Sequence, residues 1–451
     1  MKKSTVAVAV ALGLLAQQAS AEGFIEDSKA TLKLRNFYIN TDNRDAGTKA
    51  AGAQSKNEEW GQGFQVDYTS GFTAGTVGFG LDAIALLGVR LDSGGGTNGA
   101  TSTSYGGTVF PSKSDGKAVN DFSSLGVTAK AKFSQTELRY GTLMPKLPVI
   151  SYNDGRLLPQ TFEGGQVTSN EIKDLTLIAG QIEHVKGRNS SSNEQMSIGG
   201  ANARTANSNK FVYAGGDYKI NKDLLVQYYY GNLDKFYKQN FLGLVHNWAI
   251  GPGVLKSDLR YFNSKNDGKN GYDPLYFSNG NYANSVSKNG KGEVDNNLYS
   301  ALFLYSVEGH TFGGGYQVSN GSSDFPWLNQ GDGSSNYTIT DSQIQKFGRA
   351  GERTWQARYS YDFAKVGVPG LTAGAVYLRG NNIDTYNASK VQTNDGATEW
   401  ERDITVAYVV QEGALKNLGF MWKNAMWRNT IAGQRNQDEN RVIVSYSIPL
   451  L

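Results

Sequence analysis

Residues 355–363 read WQARYSYDF. Trp355, Ala357, Tyr359, Tyr361 and Phe363 fall on one phase, and Gln356, Arg358, Ser360 and Asp362 on the other. A strand turns successive side chains to opposite faces, so the stretch predicts one aromatic face and one wet face. The same period of two recurs along the chain. In Arg441–Pro449, RVIVSYSIP, Val442, Val444, Tyr446 and Ile448 oppose Arg441, Ile443, Ser445 and Ser447. In Leu255–Phe262, LKSDLRYF, Lys256, Asp258 and Arg260 oppose Leu255, Leu259 and Tyr261. Ile404, Val406, Tyr408 and Val410 share a face in the same way.

Alternation predicts about 18 strands, near 30–40, 60–70, 76–91, 122–133, 136–142, 164–172, 175–186, 210–220, 224–237, 241–250, 255–264, 297–306, 311–319, 353–363, 371–381, 400–410, 416–427 and 441–449. Short turns at Ser134-Gln135, Asn221-Lys222-Asp223, Gly251-Pro252-Gly253 and Glu308-Gly309 alternate with long polar loops at 92–120, 187–208, 265–295, 319–352 and 382–399. Tight turns at one end and long loops at the other predict an all-β fold, a transmembrane antiparallel barrel. An even strand number closes the sheet, leaves no edge unpaired in lipid and puts both termini on the periplasmic side. Tyr228-Tyr229-Tyr230, Trp422 and Trp427 suit aromatic girdles at the membrane interfaces.

The N-terminus fits export. Lys2 and Lys3 precede an apolar run from Thr5 to Ala16, and Ala19-Ser20-Ala21 is a small-residue cleavage pattern. Residues 1–21 therefore read as a signal peptide and 22–451 as one barrel domain. Net charge is +3, about +1 without the two lysines, which gives no global case for nucleic acid as a partner. There is no cysteine, and His184, His246 and His310 stand at no metal-ligand spacing. Neither a metal nor a cofactor is expected, and no Gly-Xaa-Ser-Xaa-Gly pattern accompanies the histidines. An outer-membrane hydrolase and a plugged structural barrel are thus the weaker readings.

The wet face is rich in base. Parity turns Lys33, Arg35, Lys130, Lys132, Arg139, Lys256, Arg260, Arg358, Lys423 and Arg441 inward. Guanidinium groups in a confined wet lumen bind carboxylates bidentately, and several weak sites in series let an anion pass without being trapped. One loop stands apart. Met144–Gly165, MPKLPVISYNDGRLLPQTFEGG, holds three of the nine prolines and the apolar residues Leu147, Val149, Ile150, Leu157 and Leu158. It lies on the long-loop side and cannot join the sheet ladder. Its stiffness and grease predict an inward fold that narrows the pore, with Asn153, Asp154 and Arg156 at the constriction and Tyr152 as a wall. An acidic patch opposite, Asp154 with Asp324, would hold the other end of a zwitterion.

Arg139–Gln160, RYGTLMPKLPVISYNDGRLLPQ, resembles the OprD family of substrate-specific outer-membrane channels. So do Glu22–Tyr38, Gly71–Gly80 (GFTAGTVGFG), Thr354–Tyr361 (TWQARYSY) and Val368–Leu371 (VPGL). The NDGRLLPQTFEGG wording and Asp438–Ser445, DENRVIVS, are most similar to the OccK branch. The resemblance implies an 18-stranded barrel, a monomer or loose homotrimer, with a loop-narrowed pore in the outer membrane of a Gram-negative bacterium. Lipid and lipopolysaccharide are its implied surroundings. It also implies a basic ladder for small carboxylates, aromatic or cyclic acids such as benzoate, vanillate or pyroglutamate. By resemblance Arg156, Arg188, Arg428 and Arg441 join that ladder, although Arg428 falls on the outward phase set by Phe420 and Trp422. The expected function is diffusion-driven carboxylate uptake without catalysis. The alternatives are a basic amino-acid channel and a non-selective porin.

Overall fold

The computed structural model describes residues 23–44, 55–92, 108–114, 117–198, 207–268, 294–329, 336–386, 392–431 and 434–451. The expected signal peptide, residues 1–21, and parts of the long loops lie outside these residues. In chain order the strands are β1 (Lys29–Asn43), β2 (Lys56–Thr69), β3 (Val77–Asp92), β4 (Asp121–Phe133), β5 (Thr136–Leu143), β6 (Lys146–Leu147), β7 (Ile150–Ser151) and β8 (Thr161–Ile172). There follow β9 (Leu175–Lys186), β10 (Ser197–Ile198), β11 (Phe211–Lys219), β12 (Leu224–Leu233), β13 (Tyr237–Ile250), β14 (Gly253–Asn266), β15 (Asp295–Val307) and β16 (His310–Gly321). The last are β17 (Leu328–Asn329), β18 (Arg353–Asp362), β19 (Leu371–Tyr386), β20 (Gln392–Val409), β21 (Gly419–Asn429) and β22 (Gln437–Pro449). A short 3-10 turn, Phe363–Val366, follows β18.

Eighteen of these strands form one antiparallel sheet in which each long strand pairs with its chain neighbours. β1 pairs with β22 from Thr31↔Pro449 to Asn43↔Gln437, which closes the cylinder. The expected strand number and closure hold. The ninth barrel strand, β12, stops at Leu233 rather than running to 237, because a turn with Lys235 at φ 71 intervenes. β2 starts at Lys56 and β20 at Gln392, both earlier than alternation suggested.

Register fixes the faces. Directly opposed residues share a face, and the chain Arg35↔Gly63, Arg35↔Ser445, Lys130↔Arg139 and Lys423↔Arg441 runs through inward positions only. The outward face carries Leu125, Phe79, Leu138, Tyr140, Phe303, Phe312, Phe420 and Trp422, all exposed. In water such a surface would be a liability; facing hydrocarbon it is the requirement. Two expected girdle residues are corrected. Tyr229 and Trp427 share the inward phase and are buried, with Trp427 Nε1 donating to Glu399 Oε2 at 2.7 Å. A run of adjacent aromatics must alternate faces, so only Tyr228 and Tyr230 of the tyrosine triplet point outward.

The core sits inside the bore. One apolar cluster joins Leu147, Val149 and Ile150 to Phe211, Tyr229, Leu233, Phe241, Phe262, Phe325 and Trp327. A second joins Leu157 and Leu158 to Phe37, Ile39, Ile84, Leu86, Phe110 and Phe122. Residues 144–160 thus stand on two footings on different sectors of the wall. Each buried Leu or Ile contributes roughly 1.5–3 kcal/mol to keeping the loop there. The wall is cut away beneath it. A Cβ at Gly63 would lie 3.0 Å from the Leu157 carbonyl, and one at Gly231 would lie 2.9 Å from Val149 Cβ. The segment is not wholly irregular, since β6 and β7 form a two-residue ladder around Pro148-Val149.

Candidate functional site

Between the two footings, residues 152–156 cross the lumen. Arg35 on β1 grips this tip. Its Nη1 donates to Asp154 Oδ1 at 2.6 Å and its Nη2 to Oδ2 at 3.0 Å, with a third bond to the Arg156 carbonyl at 2.8 Å. Asn153 Oδ1 accepts from the Gly155 N–H and from Arg188 Nη1, at 2.8 and 2.9 Å. Arg441 on β22 donates to the Gly155 carbonyl at 3.4 Å and to the Gln343 carbonyl at 2.8 Å. A Cβ at Gly155 would sit 3.3 Å from Arg188 Nη1 and 3.8 Å from Arg441 Nη1. Arg156 lies near enough to act on the charges of Arg441, Glu439 and Lys423. Its Nη1 donates only to its neighbour's carbonyl at 3.3 Å, and its Nε is buried without a partner.

A second inward loop, described over 322–329 and 336–352, closes the opposite side. Acidic side chains of the wall hold its backbone. Glu401 accepts from the Ile344 and Gln345 N–H groups, both at 2.8 Å, and Asp403 from the Gln343 N–H at 3.2 Å. Glu439 accepts from Gln343 Nε2 at 3.1 Å and from Arg441 Nε at 2.6 Å. Basic side chains hold its carbonyls: Arg358 donates to Ile339 O at 2.6 Å and Arg260 to Tyr337 O at 3.0 Å. Farther along, Arg349 and Glu399 pair at 3.1 Å with both side chains fully buried. Burial raises the Glu352 carboxyl well above the ordinary carboxylate range, with the neighbouring Glu399 charge adding to the rise.

All ten basic residues expected inside occupy inward register positions. They do not act alike. Arg35 is neutralised by Asp154 and serves as a clamp. Arg358 is committed to the second loop. Arg139 donates to Glu137 and lies 3.8 Å from Asp82, which Lys130 also meets at 2.7 Å, toward the periplasmic end. Lys423 faces Arg441 across the ladder. Tyr152 packs on the first footing under Lys146, whose Nζ stands 5.0 Å from the ring. Two expectations are corrected. Asp324 is buried and accepts the Ala350 N–H at 2.8 Å, so its carboxylate is engaged in stapling the second loop. Arg428 points outward, as its phase required, and pairs with Asp438 at 2.6 Å on the outer wall.

The acidic column Glu399, Glu401, Asp403 and Glu439 was missed by sequence reasoning. Its signal was present: EWERD, residues 399–403, puts three acids on the inward phase of one strand. Gly155 and Gln343 carried no signal, because their roles depend on loop folding.

Residues 22–450 match the family profile described as outer membrane porin, OprD family. The chain is 38% identical over 448 residues to Porin-like protein GalP of Pseudomonas putida, covering 99% of this chain and 97% of that protein. The crystal structure of Pseudomonas aeruginosa OccK8 (OprE) superposes with a TM-score of 0.83 at 60% identity, over 95% of this chain and all (100%) of that one. That of Pseudomonas aeruginosa OpdK with vanillate does so with a TM-score of 0.80 at 34% identity, over 95% and 100%. A closed lipid-facing cylinder, a bore bridged from within and a family match across the whole barrel lead to one assignment. The chain belongs to the OprD family and is a substrate-specific porin of the outer membrane.

Proposed function

We propose that this channel admits small carboxylates and selects them at the tip of the inward loop. The observation that carries the reading is the gathering of Arg156, Arg188 and Arg441 around Gly155, which has no side chain to fill the space between them. A carboxylate accepts two parallel N–H bonds from one guanidinium, and a neighbouring guanidinium can take it over. The acidic groups nearby are engaged: Asp154 by Arg35, Glu439 by Arg441 and Gln343, Glu401 by loop amides. The site therefore presents cationic donors and few open carboxylates. Lys423 lies beside it, and Lys132 continues the charge toward the periplasm, where Lys33 and Arg139 are paired with Asp67 and Glu137. Tyr152 offers a wall for a planar substrate. The vanillate in the OpdK structure, a similar protein, fits an aromatic acid as cargo.

A basic amino-acid channel needs a free carboxylate at the constriction, and the pairing of Asp154 with Arg35 argues against it. Each chain encloses its own bore, so a monomer suffices for conduction, and residues 1–21 act as the export signal. Uptake into liposomes of benzoate, vanillate and pyroglutamate, set against arginine and glucose, tests the reading. The carboxylates enter fastest. Arginine entering as fast as benzoate would remove the proposed selectivity.

A further inference from the structure

Arg428 points away from the lumen, and its surroundings on the outer wall are unusual. Register places Trp355, Arg379, Trp400 and Arg428 directly opposite one another across β18, β19, β20 and β21. All four occupy outward positions. The next outward row toward the periplasm holds Tyr377 and Arg402, and Arg353 stands one step toward the long loops. The rings form a continuous course: Trp355 to Tyr377 at 5.3 Å, and Tyr377 stacked on Trp400 at 5.8 Å. The Arg428 guanidinium lies 6.0 Å over the Trp400 ring.

The height of this row is set by the strands. Arg379 is eight residues above Leu371, the periplasmic start of β19. At about 3.3 Å per residue and a tilt near 40° that is about 20 Å, close to the top of an apolar band about 25 Å tall. Below it the same strands show Tyr359, Val406, Tyr408, Phe420 and Trp422. The arginines therefore stand at the outer-leaflet headgroups, where indole rings also settle.

Charge does not balance there. Asp438 is shared between Arg428 and Arg44, each at 2.6 Å. Arg353 and Arg379 are exposed and form no ion pair among the described residues. Arg402 donates to Asn424 Oδ1, while its Nε is buried without a partner. The neighbouring sector, one strand away, is different. Around β12–β15 the outward cations are lysines, Lys238 and Lys265, and tyrosine hydroxyls bond asparagines, with Tyr228 donating to Asn240 at 2.9 Å and Tyr261 to Asn297 at 3.1 Å. Lys265 there is paired with Asp295 at 2.5 Å. One sector of the outer wall thus carries unneutralised guanidinium groups between aromatic rings.

We infer that this arginine–tryptophan course on β18–β21 is a docking site for the phosphate groups of the phosphorylated glycolipid of the outer leaflet. Guanidinium forks match phosphate oxygens bidentately, and the indoles pack against the acyl chains just below the headgroup. The ligand chemistry is anionic and lipid-borne, which suits groups that cannot be reached from the bore.

The full-length protein in detergent is titrated with bisphosphorylated lipid A and with the same lipid dephosphorylated, reading bound lipid by native mass spectrometry. The wild type prefers the phosphorylated form. Arg353→Ala with Arg379→Ala weakens that binding about 30-fold, from about 1 kcal/mol for each cation at a charged surface. Binding of the dephosphorylated lipid is unchanged. Single-channel conductance of the double variant in phosphatidylcholine bilayers stays at the wild-type value, which reports an intact barrel. The single variant Arg379→Gln, closer in shape, shows the same loss in smaller degree. Equal binding of both lipids by the wild type, or undiminished binding by the double variant, overturns the site.

Discussion

At the residue scale the lumen arginines divide into clamps and donors. Arg35 and Arg358 spend their donors on loop groups; Arg156 keeps most of its own uncommitted. Arg156→Ala should slow benzoate or vanillate uptake about tenfold, the worth of one charge-assisted contact, while the barrel stays folded by its heat-modifiable gel migration. Arg188→Ala should do the same. Arg428→Ala should leave carboxylate flux unchanged, since its guanidinium faces outward onto Asp438; a slowed flux would return it to the pathway. Parity alone located Lys33, Arg35, Arg139, Arg358, Lys423 and Arg441, because a closed cylinder with one wet side leaves a strand residue two choices. It could not tell a clamp from a donor. That distinction rests on where loop carbonyls arrive. Asp324 shows the limit: a loop acid has no phase, and this one is taken up by a loop amide.

At the scale of elements, two loops make the constriction, and the strands are shaped to receive them. Leu157→Ala should remove about 2–5 kcal/mol from one footing. The measured result is a larger single-channel conductance with weaker discrimination among solutes. Gly63→Val should act alike, because any Cβ there meets the Leu157 backbone. The second loop hangs on Glu401, so Glu401→Gln, which can accept from fewer amides, should raise open-channel noise. Glu352 anchors the end of this loop by accepting the Arg349 N–H at 3.0 Å. Burial raises its pKa, so the neutral form is favoured in place. That contribution is present below the ordinary carboxylate range and is lost as pH climbs through the raised value. Noise should therefore grow with rising pH, and Glu352→Gln should abolish the trend. The proline loop was legible from its prolines and apolar residues, which suit neither a strand nor an exposed turn. The inward fold of the loop before β18 was likewise expected, and 319–352 carries apolar residues such as Phe325, Trp327 and Phe347; how it is held was not legible, because its ligands sit on a distant strand.

At the scale of the molecule, closure of β1 on β22 gives a bore that belongs to one chain. Single insertions into a planar bilayer should appear as unitary steps, not in threes. The strand number, the two faces and the closure could all be read from period-two alternation, because lipid on one side and water on the other impose it on every strand. The outer-wall arginines also follow from parity, yet their grouping into one sector emerges only when register aligns four strands. The central claim is that the loop-borne guanidinium groups make the constriction select anions. The reversal potential of single channels under a potassium chloride gradient tests it most directly. The account predicts anion selectivity in the wild type and a shift toward zero in Arg156→Ala with Arg188→Ala. Cation selectivity in the wild type, or an unchanged potential in the double variant, would contradict it.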